Sequence, residues 1–148
     1  MEDLLRWIVI GAAGGYALIY WVSGLFTPVA GRWRDGERII SLRQAGPFVR
    51  GLCIRDGGEE IYRGTARFGR LTLQRKTRGE ALLMSMGFAA EVAPLLEDQV
   101  MATYEFKLKG DSLNGTFSGR VIRSLRSPPR IVRVQRRDDE PRSWQRLR

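Results

Sequence analysis

Histidine is absent from all 148 residues, and cysteine occurs once. Without imidazole the chain lacks the commonest acid–base side chain and metal ligand, and one thiol cannot build a thiolate cage. No metal and no cofactor is therefore expected, and a neighbouring haem or chlorophyll would find no imidazole ligand here. A lone cysteine also excludes an intramolecular disulfide, the usual brace of a small exported domain, which agrees with a reducing compartment. Cys53 lies between Leu52 and Ile54 and reads as a small buried hydrophobe. No phosphate-cradling loop is recognisable. The acids cluster as Glu59-Glu60, Glu97-Asp98 and Asp138-Asp139-Glu140, in stretches that read as turns or a tail. Solvated charge is the expectation there, not paired catalytic carboxylates, so the chain reads as a non-enzyme.

Charge is missing locally as well. Residues 7–26 (WIVIGAAGGYALIYWVSGLF) carry none. At ~1.5 Å per residue such a helix covers roughly 30 Å, the thickness of a bilayer's hydrocarbon core, which predicts one N-terminal transmembrane helix within residues 1–28. A cleaved signal peptide would begin with cationic residues and have a shorter apolar core, whereas this chain starts Met1-Glu2-Asp3 and carries Arg6. A retained, single-pass anchor is expected. Arg32, Arg34, Arg38 and Arg43 follow the span and only Arg6 precedes it, so the N-terminus should lie outside the inner (cytoplasmic) membrane and the rest in the cytoplasm. Gly11 and Gly15, with Ala13 and Ala17 one face over, have the small-residue spacing that admits another helix backbone. Trp7, Tyr20, Trp21 and Phe26 fit interfacial aromatic anchors, with Arg32, Arg34 and Arg38 beside the lipid headgroups.

Beyond Pro28 the pattern changes to period two. Apolar and polar residues alternate in short runs between turn signals, most cleanly where Tyr104, Phe106 and Leu108 alternate with Glu105, Lys107 and Lys109. Residues 29–136 read as about seven or eight strands at roughly ten-residue spacing, an all-β antiparallel meander forming a small barrel or sandwich. Leu82, Met84, Met86 and Phe88 read as a further strand, followed by one helical turn broken at Pro94. Residues 137–148 read as a basic C-terminal tail.

Gly31-Arg32-Trp33 on the first strand resembles the G-x-W of lipocalin-like barrels, in which the Trp closes one end and a basic residue of the final strand packs over it. The resemblance covers residues 29–136 and implies that Gly31 and Trp33 are structural, with Arg133 as the matching basic residue. The chain departs from ordinary lipocalins in its shortness and in lacking a disulfide pair.

The remaining signal is charge: 25 Lys and Arg against 16 Asp and Glu, a formal +9. Such a field attracts anionic lipid, nucleic acid or acidic protein. Arg123, Arg126 and Arg130, around Pro128-Pro129, suit a protein partner because guanidinium pairs with carboxylates bidentately, and Trp144 and Leu147 read as anchors on the same partner. The expected function is a non-catalytic accessory subunit of a bacterial membrane complex, its partners integral membrane subunits and anionic headgroups. The alternative is a membrane-tethered barrel sensor. That architecture looks similar to bacterial defence effectors in which membrane helices precede a minimal barrel recognising cyclic dinucleotides; Arg63, Arg67 and Arg75 with Tyr62 or Tyr104 would form its pocket. Scattered aromatics without a base-stacking signature argue against nucleic acid.

Overall fold

The computed structural model describes residues 2–124, 131–136 and 139–148; side-chain environments are described from Ala12 onward, except Ser23, Leu25, residues 121–124 and residues 131–136. Helix α1 (Glu2–Leu25) precedes strands β1 (Gly31–Asp35), β2 (Arg38–Ala45), β3 (Phe48–Arg55), β4 (Gly58–Arg67) and β5 (Arg70–Arg78). Two short helices follow, α2 (Glu80–Ser85) and α3 (Ala93–Leu96), then β6 (Val100–Lys109), β7 (Ser112–Ser124), β8 (Ile131–Arg136) and β9 (Glu140–Leu147).

Each strand from β1 to β7 pairs antiparallel with its successor. β9 then pairs with both β7 and β1, closing an eight-stranded antiparallel barrel and leaving it no free sheet edge. Five of the connections are two-residue hairpin turns whose tight geometry favours positive φ: Gly36, Gly46, Gly57 and Gly110 supply it, and the β4–β5 turn has it at both Phe68 (φ 50°) and Gly69 (φ 74°). β8 is not a barrel strand. It pairs with the overhanging end of β7, residues 120–124, to form a two-stranded ribbon.

Eight strands enclose an interior just wide enough for side chains to fill. The alternation read from the sequence points Trp33, Ile40, Leu42, Val49, Tyr62, Leu71, Leu73, Tyr104, Phe106 and Leu113 inward. At its centre Tyr62, Tyr104, Phe106 and Trp144 meet in stacked, tilted and edge-on pairs with centroids 4.8–5.9 Å apart. Such pairs contribute about 0.5–1.5 kcal/mol each beyond burial.

Three expectations are corrected. Within the stretch expected as a tail, Glu140–Leu147 form β9, which completes the barrel, and Trp144, expected to anchor a partner, is 0 % exposed in the core. Leu147 is half-buried opposite Arg32. The expected strand at 82–88 is the helix α2, because consecutive Leu82 and Leu83 are both buried, as helical but not strand geometry allows. With α3, Phe88 and Met101 it makes a small second core. The basic residue over Trp33 is Arg146 of β9, its guanidinium 4.8 Å from the ring centroid; Arg133 lies in β8.

The barrel's two ends differ. At the helix end, Gly24 packs so closely on the β2–β3 turn that a Cβ there would lie 2.3 Å from the Gly46 oxygen. Gln44 donates to the carbonyls of Gly24 and Gly46 and accepts from the Val29 amide, each at 2.9 Å. The Gly69 amide donates to Thr27 Oγ1 at 2.7 Å. α1 is thus clamped to two hairpin turns. At the opposite end, called here the ribbon end, lie the β1–β2 and β3–β4 turns, α2, α3 and the β7–β8 ribbon.

Candidate functional site

Alternation carries charge into the lumen at the ribbon end. Glu60, two residues before Tyr62, and Arg75, two after Leu73, both face inward, with 1 % and 6 % of their surfaces exposed. Burying these charges is tolerable only because they pair. Glu60 Oε1 is 3.2 Å from Arg75 Nη1 and 3.5 Å from Arg38 Nη1, and Glu60 Oε2 accepts the Tyr62 hydroxyl at 3.0 Å. Arg75 Nη1 also donates to the Tyr104 hydroxyl at 3.3 Å. A second pair sits beside this one: Arg142 grips buried Asp35 bidentately at 2.8 and 3.3 Å, and Arg38 Nε approaches the same carboxylate at 3.9 Å.

These neighbours shift the titrating groups. Burial pushes the Tyr62 and Tyr104 hydroxyls up, and nearby Glu60 adds to the effect in both. For Arg38 and Arg75 burial pulls the other way, but Glu60 and the tyrosines outweigh it and the net shift is upward. Burial and Glu60 raise the Cys53 thiol, leaving it an unreactive side chain at neutral pH. The network opens onto a cleft of about 660 Å³ whose walls include Asp35, Glu37, Arg38, Cys53, Arg55 and Arg142. Both carboxylates are committed to arginines, so neither is a free general base. Arg75 Nε and Thr77 Oγ1 are buried without a hydrogen-bond partner among the described residues. Among those residues no cluster of His, Cys, Asp and Glu could hold a metal ion.

Of the pocket arginines expected from sequence, only Arg75 enters the lumen; Arg63 is exposed and Arg67 lies near the helix end. Arg38, expected at the headgroups, sits half-buried in the ribbon-end network, and Arg34 is exposed near the same end, on β1. Arg32 is nearer the helix end and exposed. Glu60, expected to be solvated, is buried; its spacing to Tyr62 and Ala66 is the sequence signal that places it inside.

α1 touches the barrel through its last turns, where Tyr20 and Trp21 lie 6.1 and 6.2 Å from the Phe48 ring. Ala13, Gly15 and Ala17 are exposed, and space around Gly15 is open. Among the described residues no helix is long and apolar enough to cross a membrane. The described side chains of α1 begin at Ala12; those of Trp7 and Gly11 lie outside them.

The ribbon places arginines opposite one another: Arg120 is the register partner of Arg136, and Arg123 of Arg133. Arg126 and Arg130 lie outside the described residues. Compared with known protein families, curated proteins and solved structures, the chain matches none of them.

Proposed function

We propose that the protein is a non-catalytic, membrane-anchored accessory subunit, in which α1 packs in the inner membrane and the cytoplasmic barrel presents its arginine ribbon to an acidic surface of a neighbouring subunit. The observation that carries this reading is the barrel's polarity: an apolar helix is clamped to one end, and a basic ribbon overhangs the other. Tyr16, Leu18 and Ile19 of α1 are all more than 60 % exposed, and a helix apolar around its surface is unfavourable in water. Lipid removes that cost, and open space at Gly15 leaves room for a partner helix. Arginines fall at opposite register positions of the ribbon, 120 with 136 and 123 with 133, and so basic a stretch of sequence suits an anionic partner. The lipocalin likeness belongs to this reading as architecture: Trp33 under Arg146 matches the G-x-W arrangement, but aromatic side chains fill the lumen.

A second reading, the small-anion sensor, draws on the ribbon-end cleft with Arg38 and Arg142 on its wall and the unpaired Arg75 Nε below. Purification of the full chain in mild detergent separates the two. Stoichiometric membrane proteins support the subunit; a retained nucleotide with no protein partner supports the sensor and sinks the subunit.

A further inference from the structure

The helix end of the barrel has a chemistry of its own. Phe68 occupies the tip of the β4–β5 turn with φ 50°, a conformation that disfavours a bulky side chain, and its ring is 71 % exposed. An asparagine or glycine would relieve both conditions, so an aromatic held there calls for an apolar surface to meet it. Phe48 on the neighbouring turn is 50 % exposed and lies against Tyr20 and Trp21 of α1. Exposed apolar side chains thus lie on the helix and at two barrel turns of the same end.

Charge follows the same polarity. Arg67 and Arg70 flank Phe68, and the Arg67 guanidinium lies 4.8 Å over the Tyr20 ring. The acid in the turns at this end, Asp111, is ion-paired with Arg148 at 2.9 Å. An anionic sheet would attract the helix end through Arg67 and Arg70.

We infer that the helix end is a lipid-binding face: the β2–β3 and β4–β5 turns rest in the headgroup layer, with Phe48 and Phe68 at the acyl boundary and Arg67 and Arg70 on anionic headgroups. The clamp at Gly24, Gln44 and Thr27 fixes this seat relative to α1, so the barrel stands on the bilayer and the ribbon faces away from it. The inference rests on α1 being in the membrane, and it assigns to the barrel itself a lipid contact that a tethered barrel would lack.

Photocrosslinking of the full chain in phosphatidylglycerol/phosphatidylethanolamine vesicles tests it. p-Benzoylphenylalanine replaces Phe68 in one variant and Ile54, which is 79 % exposed near the ribbon end, in another. Both sites are exposed, so neither change disturbs the core. Lipid adducts at position 68 and none at 54 are expected; adducts at neither site, at 54 alone, or equally at both would overturn the seat. Alkaline carbonate extraction of the same vesicles reads the anchor separately. Extraction-resistant protein without adducts at 68 refutes the seat alone, whereas extractable protein refutes the anchor on which the seat rests, whatever the adducts.

Discussion

Arg146 lies over Trp33, its guanidinium carbon 4.8 Å from the ring centroid, and it also donates to the Pro28 carbonyl. Trp33 in turn donates its indole N–H to the Val29 carbonyl at 2.8 Å. One arginine therefore ties the last strand to the first and to the segment leaving α1. Arg146→Ala should destabilise the barrel by about 1–2 kcal/mol through lost cation–π and stem packing, visible as a lower urea midpoint with an unchanged slope. Arg133→Ala should leave the midpoint in place, and the reverse pattern would restore Arg133 to the role its sequence position suggested.

The buried network predicts a larger effect. Glu60→Ala strands Arg75 and Arg38 opposite one another without their shared carboxylate, and a cost of about 3–5 kcal/mol is expected. Replacing Glu60 and Arg75 together by Leu should cost less than Glu60→Ala alone, because the double change removes the desolvated charges as well as their attraction. Denaturant melts of the three proteins decide it. If the double variant is the weakest, the pair contributes net stability that this account denies.

Much of the fold was legible because the cue was local. Tyr104, Phe106 and Leu108 alternate cleanly, and each two-residue turn contains a glycine. Glu60 and Trp144 lie inside although their neighbours, Glu59 and Arg142 through Arg146, have the composition of a turn and a tail, which masks the strand period. Both residues keep the period-two spacing of their strands. β9 is also specified by nonlocal pairing, since it closes against β1 across most of the chain, and no window of sequence contains that partner. The split of arginines between a lumen network, a helix end and a ribbon depends on topology in the same way.

Alkaline pH should open the barrel. The folded-state pKa values of Tyr62 and Tyr104 are raised above the ordinary phenol value of about 10. A raised value means the contribution to stability is fully present below the unfolded pKa and is lost as pH climbs above it, because only the unfolded chain releases the proton there. Loss of the β-sheet circular dichroism signal above pH about 10, in step with the rise in tyrosinate absorbance from these two residues, is expected. Tyr62→Phe should move that transition to higher pH. Ionisation of Tyr62 and Tyr104 in a still-folded barrel would contradict the burial argument.

The most direct test of the central claim is recovery of the partner by a chain whose ribbon charge is reversed. Arg123, Arg126 and Arg130 are replaced together by Glu, and the full-length protein is purified in mild detergent beside the parent. Arg123 lies on β7 beyond the barrel pairing, and Pro128-Pro129 between Arg126 and Arg130 reads as a surface connection, so the change should be tolerated and both proteins should melt together. The account predicts loss of the stoichiometric membrane partner in the triple variant, and weakening of the parent complex as salt rises, since rim charges are screened over about 8 Å at physiological ionic strength. Full partner recovery by a normally folded triple variant would show that the ribbon is a solvated basic surface and not the docking element.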